Sequence, residues 1–329
     1  MESNKKKVLV YVHTDILGDA LIKLPAVARL HDIFPEYEIT WFAGCGPTVY
    51  KTHLNSLASN LIDVIKDDVV FGKSWKEFLS SCPINDYYDV IIDTQQKLLC
   101  TLSLLRITHG RFISPSLKFL LSDNKPKQLS DYYDVSLQER IMLLFNLAGN
   151  TSFEPKLDLN LSDEVTSVAD GLLPDTDHYI GFAPGAGGDN KIWPLESFIN
   201  VAKEQVDSGR TPVFFLGPKE QDIYLQVKEA IPEALFPEIH NKHEQVKGPL
   251  LAIALAKKLK LAVTNDAGIG HAIALSGCKT ITLFGPSNSA KFISKYDKRI
   301  VIEASFFGSK EMTAIPMEVV KQTIEQHYN

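Results

Sequence analysis

The sequence has little of what disulfide-stapled folds and local metal sites are built from. Its four cysteines, Cys45, Cys82, Cys100 and Cys278, never fall as C-x-x-C, and no histidine stands at zinc-finger spacing from a cysteine pair. A disulfide scaffold and a sequence-local zinc site are therefore disfavoured, and free buried thiols are expected. No apolar run approaches the roughly 20 residues that a membrane span requires. The run Val8–Val12, which follows three lysines, is too short even for a signal core and reads as a buried first strand. The expectation is a soluble cytoplasmic protein, at most peripheral at the inner face of the plasma membrane. Excess positive charge is missing too: the formal net charge is -6, which argues against general nucleic-acid binding. Neither a P-loop nor a clean G-x-G-x-x-G is present, and no obvious acidic metal cluster stands out.

What is present is ordinary globular composition, 45% hydrophobic and 22% charged, in a chain of 329 residues, long enough for two α/β domains. Short β-rich runs alternate with amphipathic segments. Strands are expected at Val8–Val12, Glu38–Phe42, Leu61–Ile65 and Asp89–Ile92, with a helix through Ala20–Leu30 that contains Pro25. A second series follows: strands at Tyr179–Ala183, Pro212–Leu216, Leu261–Thr264 and Thr280–Phe284, and helices at Pro194–Val206, Leu250–Leu259, Ile269–Leu275 and Pro316–His327. Between the two series the rhythm lapses in a stretch rich in acids and prolines. The organisation expected is a Rossmann-like domain over 1–160, a linker over 161–177 and a second Rossmann-like domain over 178–312. A terminal helix over 313–329 could pack back on the first domain. Two such βαβ series argue for doubly wound α/β domains facing each other across a cleft, with ligands at the carboxyl ends of the strands.

Four strand-to-helix junctions carry candidate chemistry. His13-Thr14-Asp15-Ile16-Leu17-Gly18-Asp19 follows the first strand: Gly18 permits a tight turn, and Asp19 is either a helix cap or a carboxylate facing the cleft. Pro184-Gly185-Ala186-Gly187-Gly188 leads through Lys191 to Trp193-Pro194 and a helix. Glycines allow close approach, free helix N–H groups suit an anion, and Lys191 adds a full charge, although a solvated surface lysine would look the same. Thr264-Asn265-Asp266-Ala267-Gly268-Ile269-Gly270-His271 repeats the arrangement, with Asp266 as a possible cap and His271 one turn in. In Leu216-Gly217-Pro218-Lys219-Glu220, Glu220 could bond ribose hydroxyls or could simply be an exposed first-turn acid.

The ordered set resembles glycosyltransferase family 9, the ADP-heptose:lipopolysaccharide heptosyltransferases and their relatives. The match is carried by Leu17-Gly18-Asp19 with Pro25, Pro184-Gly185-Ala186 with Lys191 and Trp193-Pro194, Gly217…Glu220, Asp266-Ala267-Gly268…His271, and Leu283-Phe284-Gly285-Pro286. Tyr88-Asp89…Asp93 is similar as well. The resemblance implies a GT-B fold with the acceptor on the N-terminal domain and the donor on the C-terminal domain. It implies inversion without a metal ion or other cofactor, Asp19 as base, and Lys191 on the donor phosphates. It also implies Asp266, Ala267, Gly268 and His271 in the donor turn, with Gly185 and Ala186 beside it, and Gly217 with Glu220 near the ribose. Ala267, Asp15 and Ile192 depart from the family's usual residues, which bears on the identity of the donor sugar.

The implied partners are a nucleoside diphosphate sugar, here an ADP-sugar, and a glycan or glycolipid acceptor such as a lipopolysaccharide core. The acceptor side is expected to include Gly18, Lys97, Arg106 and Arg111. The stretch from Lys97 to Lys127 is basic and carries Leu117, Phe119 and Leu120. It reads equally as a surface for a lipid-linked acceptor or anionic membrane and as an ordinary solvated face. Closure of the two domains would exclude water from the donor. Three rivals remain at this stage: a non-catalytic sugar-nucleotide binder, a GT-B-shaped sugar-nucleotide epimerase, and, ranked last, a nicotinamide-dependent oxidoreductase.

Overall fold

The structure is a computed structural model that describes residues 5–156, 158–217 and 220–328. The chain divides into two compact units, Met1–Lys156 and Leu157–Asn329. In the first unit, β1 (Lys6–Val12), β2 (Tyr37–Ala43), β3 (Val64–Lys66), β4 (Tyr88–Asp93) and β5 (His109–Ile113) form one sheet in the order β3-β2-β1-β4-β5. Every pairing is parallel, with β1 in register against β2 from Lys6↔Tyr37 to Val12↔Ala43. The second unit has β6 (Tyr179–Ala183), β7 (Thr211–Phe214), β8 (Leu261–Asn265), β9 (Lys279–Phe284) and β10 (Ile300–Glu303), all parallel, in the order β10-β9-β8-β6-β7.

Continuous apolar runs make these strands because both faces are covered by helices, so no alternation with polar residues is needed. Val8 to Val12 and Tyr179 to Ala183 are buried at every position. Leu9, Tyr11, Phe42, Ile91 and Phe112 belong to one core. Phe182, Trp193, Phe198 and Phe214 belong to another, with Phe182 stacked on Phe214 at 5.3 Å between ring centroids. Fully burying one such side chain contributes about 1.5–3 kcal/mol.

Strand order positions the sites. In each sheet the chain runs outward on one side and then returns to the other, so the order reverses between β1 and β4 and between β6 and β8. Loops leaving adjacent strands diverge at such a switch point and open a crevice at the carboxyl ends. The junctions after β1 and after β6 and β8 are those that the sequence singled out.

Several expectations need adjustment. The strand β3 starts only at Val64, and Leu61 lies in a turn. The edge strands β5 and β10 were not anticipated. The stretch 161–177 is no plain linker: it holds the helix Asp163–Leu172, whose first turn is capped by Ser162 Oγ, 3.4 Å from Val165 N. That helix packs against the helix Pro249–Ala256 of the second unit. The last helix, Met317–His327, packs on the helix Leu195–Asp207 and on β9 in its own unit. No helix among the described residues is long and apolar enough to cross a membrane.

Candidate active site

After β1 the chain turns through His13–Ile16 into the helix Leu17–Val27. Ile16 occupies the N-cap position with extended backbone (φ -80°, ψ 162°) and makes no side-chain cap bond. Gly18 and Asp19 are therefore the second and third helical residues. Asp19 is not the N-cap, and among the described residues its partly exposed carboxylate has no hydrogen-bonded or ionic partner.

The turn before the helix is held by a buried polar cluster that sequence reasoning did not identify. Asp15, 2% exposed, accepts from Trp41 Nε1 at 2.8 Å, from Thr48 Oγ1 at 3.0 Å and from the Lys23 ammonium. Lys23 is itself only 6% exposed and also lies 5.8 Å from the Trp41 ring. The pair fixes the β1 turn to the helix that carries Asp19. The same rim holds His13, which burial and then the charges of Lys97 and Lys73 keep below the usual imidazole range.

Of the three basic residues assigned to the acceptor side, Lys97 thus stands by the β1 turn. Arg106 is committed elsewhere: its guanidinium donates to the carbonyls of Phe78 and Ser80 and lies over the Phe78 ring. Arg111 sits midway along the edge strand β5, opposite Val90. At the end of β4, Asp93 is fully buried and accepts from Thr101 Oγ1 (2.7 Å), Ser114 Oγ (2.9 Å) and Gln95 N (2.8 Å). No cation among the described residues pairs with it, and burial pushes its carboxyl up to about 6.

In the second unit, Pro184 to Gly188 leaves β6 and leads through a short 3-10 turn, Asp189–Lys191, to the helix Leu195–Asp207. Lys191 Nζ reaches Asp266 Oδ2 at 2.7 Å, across 75 residues of sequence. Asp266 does not cap the following helix, Gly268–Leu275. Ala267 is its N-cap, with extended backbone and no side-chain bond, so the first N–H groups of that helix stay available to a ligand. An ammonium has three donors, and one contact to Asp266 leaves the others for an anion.

Asn265, fully buried, ties the two loops together: Nδ2 donates to Pro184 O at 2.6 Å and Oδ1 accepts from Trp193 N at 3.2 Å. His271 is buried 3.8 Å from Asp266 Oδ1, and its Nδ1 lies 2.8 Å from Arg299 Nη1. Burial, Arg299 and Lys191 hold its pKa well below the usual range. A neutral ring accepting from Arg299 at Nδ1 carries its proton on Nε2, the nitrogen facing Asp266.

Glu220 is the N-cap residue of the helix Gln221–Ala230, and its Oε2 accepts from Gly217 N at 2.5 Å. It is half-buried, and burial raises its pKa against that hydrogen bond. Its other oxygen occupies the space beside Gly185, where a Cβ would come within 1.7 Å of Oε1. Pro218 and Lys219 of the same turn lie outside the described residues. A second carboxyl, Glu238, stands next to Glu220; burial and that neighbouring charge push it up to about 8, against a bond from the Leu216 amide. No motif announces it, since it follows a proline in the four-residue helix Pro237–His240, away from the Gly217–Glu220 turn in sequence. Among the described residues, no three His, Cys, Asp or Glu side chains come together as a metal-ligand set.

Solved structures share this architecture along the whole chain. The glycosyl transferase family 9 protein of Veillonella parvula superposes with a TM-score of 0.71 at 21% identity, covering 100% of this chain and 98% of that one. The E. coli heptosyltransferase WaaC with ADP-2-deoxy-2-fluoro heptose gives 0.65 at 19% identity, over 97% and 99%. Among curated proteins, the lipopolysaccharide core heptosyltransferase OpsX of Haemophilus influenzae is 22% identical over 294 residues, which is 86% of this chain and 80% of that protein. The two parallel sheets, with loops gathered at their switch points, have the GT-B fold of a glycosyltransferase. Residues 84–317 match the family described as glycosyltransferase family 9 (heptosyltransferase), and the chain belongs to it. Every donor-side candidate from Gly185 to His271 falls within the matched residues, whereas Gly18 and Asp19 precede them.

Proposed function

We propose that this glycosyltransferase moves a heptose or related sugar from an ADP-sugar to a hydroxyl of a lipopolysaccharide-core or other bacterial glycan acceptor, with inversion and without a metal ion. The observation that carries the reading is the Lys191–Asp266 contact at 2.7 Å beside the uncapped start of the helix Gly268–Leu275. A cation beside unpaired backbone donors is an arrangement suited to a diphosphate, and it supports this reading. The family, and relatives named for heptose transfer and for an ADP-heptose analogue, support this donor class.

In this mechanism Lys191 and the helix N–H groups stabilise the charge that develops on the leaving diphosphate. Asp266 holds Lys191 in place, and Asn265 fixes the two loops that frame the phosphates. Glu220, ionised, accepts from the ribose hydroxyls. Asp19 takes the proton of the acceptor hydroxyl as its oxygen attacks the anomeric carbon from the face opposite the diphosphate. The acceptor, in this reading, is carried by a lipid at the cytoplasmic face of the inner membrane.

The test is thermal unfolding with ADP, UDP, GDP and CDP, each with magnesium or with EDTA, followed by a transfer assay with ADP-heptose. Saturation at a hundredfold over Kd contributes about 2.7 kcal/mol, equivalent to roughly 5–10 °C for a unit of this size. ADP should stabilise the protein equally in EDTA. Stabilisation by another nucleotide would replace the donor, and stabilisation by none would remove the proposed donor site.

A further inference from the structure

We propose that the first unit docks on an anionic phospholipid bilayer through a surface built from the helix Trp75–Leu79, the start of the helix Leu98–Leu104 and the turn Ser116–Leu120. These three elements pack in sequence, the first against the second and the second against the third. Each turns large apolar side chains to solvent: Trp75 is 59% exposed, Leu79 81%, Leu98 41%, Leu117 51% and Leu120 76%. Trp75 and Leu79 stand one helical turn apart, and no residue of their helix is buried. Scattered exposed leucines are ordinary, but five large apolar groups exposed on three elements that pack one against the next are a concentration that calls for a partner.

The protein holds this patch outward at a cost. Leu117, Lys118 and Phe119 all have left-handed backbone (φ 49°, 57° and 65°), a conformation unfavourable for each of them. Phe119 anchors the turn from inside, packed edge-on against Tyr132 at 5.2 Å, and Tyr133 Oη bonds Pro115 O at 2.8 Å. Leu117 and Leu120 are left facing water. Arg106, through the Phe78 and Ser80 carbonyls, fastens the end of the helix Trp75–Leu79.

Charge identifies the occupant. Lys73, Lys76, Lys97 and Lys118 stand one or two residues from Trp75, Leu98 and Leu117 or Leu120 along the chain, and none forms an ion pair among the described residues. Glu77, on the same helix, is turned back to accept from the Lys73 and Ser74 amides. Exposed tryptophan and leucine among unpaired lysines suit the boundary of a bilayer with negative headgroups, where the rings and chains enter the acyl region and the ammoniums stay with the phosphates.

This inference rests on the reading of a lipid-carried acceptor, and it is tested without donor or acceptor, so that its failure leaves the transfer assay standing. The full chain is mixed with vesicles of phosphatidylcholine, or of phosphatidylcholine with phosphatidylglycerol, and separated by flotation. The chain should float with the anionic vesicles only, and less as salt rises. Each lysine removed, as in Lys73→Gln or Lys76→Gln, should weaken binding about fivefold. Trp75→Ser with Leu79→Ser should weaken it by at least about tenfold; both sites are exposed, so the fold is retained.

A second measurement needs no variant. The sequence has three tryptophans, and Trp41 and Trp193 are 0% and 1% exposed. A blue shift of emission on vesicle binding, with quenching by brominated lipid, therefore reports entry of Trp75. No flotation with anionic vesicles would overturn the proposal. So would equal flotation of the double variant, or flotation that leaves the emission unchanged and points to adsorption through another surface.

Discussion

The buried pair Asp15–Lys23 offers the sharpest test of how the β1 turn is held. Asp15→Asn keeps the shape but sets an amide or a neutral oxygen against the Lys23 ammonium, which is 6% exposed and has no other acceptor among its described contacts. Removing one partner of a buried pair costs about 3–5 kcal/mol. The distant Trp41 ring, at 5.8 Å, returns only about 0.5–1 kcal/mol, so this variant should fall in the upper part of that range. Lys23→Met strands the carboxylate instead. Trp41 Nε1 at 2.8 Å and Thr48 Oγ1 at 3.0 Å still bond it, which places this variant near 3 kcal/mol. The double variant removes both charges, keeps an oxygen for Trp41 and Thr48, and should cost only about 1–2 kcal/mol. Urea unfolding, fitted with a separate transition for each unit, measures all three. The two single variants should therefore be strongly non-additive, with a coupling of at least about 3 kcal/mol, and the double variant should recover turnover lost by Asp15→Asn. Additive costs, or single variants each below about 1 kcal/mol, would refute the reasoning.

Other outcomes follow from the same geometry. Asp19→Asn should lower turnover on the order of 10²–10⁴-fold while the ADP-induced thermal shift is retained; a matching loss of ADP binding would make Asp19 a donor residue instead. Gly185→Ala places a Cβ 1.7 Å from Glu220 Oε1, so the carboxylate must swing away. Calorimetry should show weakened ADP binding with the melting temperature of the free protein nearly unchanged, and unaltered binding would separate Glu220 from the ribose. For Asp93, burial raises the carboxyl from 3.8 to about 6, so the folded state holds its proton more tightly than the unfolded chain does. That contribution is fully present below about pH 4 and lost as pH rises through about 6, on the order of 3 kcal/mol. Asp93→Asn should flatten this part of the pH–stability curve, and an unchanged curve would argue against it. For Glu238, ADP affinity should fall as pH rises through about 8, when a second negative charge appears beside Glu220. Glu238→Gln should bind ADP equally on both sides of that pH, and a wild-type affinity that is flat with pH would count against the pairing.

Local sequence determined a good deal of this protein. Apolar runs without alternation gave the central strands, because a strand covered on both faces needs apolar residues at every position. Glycines and prolines after those strands marked the junctions where Asp19, Lys191, Glu220 and Asp266 stand, since the chain must turn there and expose backbone. The edge strands β5 and β10 were hidden for different reasons. His109-Gly110-Arg111 opens β5 with polar or small residues because an edge strand is only half enclosed, whereas β10 is apolar at Ile300-Val301-Ile302 but only four residues long, too short a run to stand out. The helix Asp163–Leu172 was masked by acids and prolines that belong to its exposed face and its flanks.

Only the tertiary structure decided which side chains meet. Nothing near Lys191 in sequence indicates Asp266, 75 residues on, and nothing near Asp15 indicates Trp41 or Thr48. Asn265 is an unremarked residue at the end of a strand until its amide is seen to bridge Pro184 and Trp193. Glu238 acquires its raised pKa from burial beside Glu220, a neighbour brought close by the sheet and not by the chain. Propensity and pattern act over a turn or a strand and can be read along the sequence. Ion pairing, desolvation and shared hydrogen bonds act through space over a few ångströms, and the parallel crossovers of the two sheets set which distant residues fall within that range.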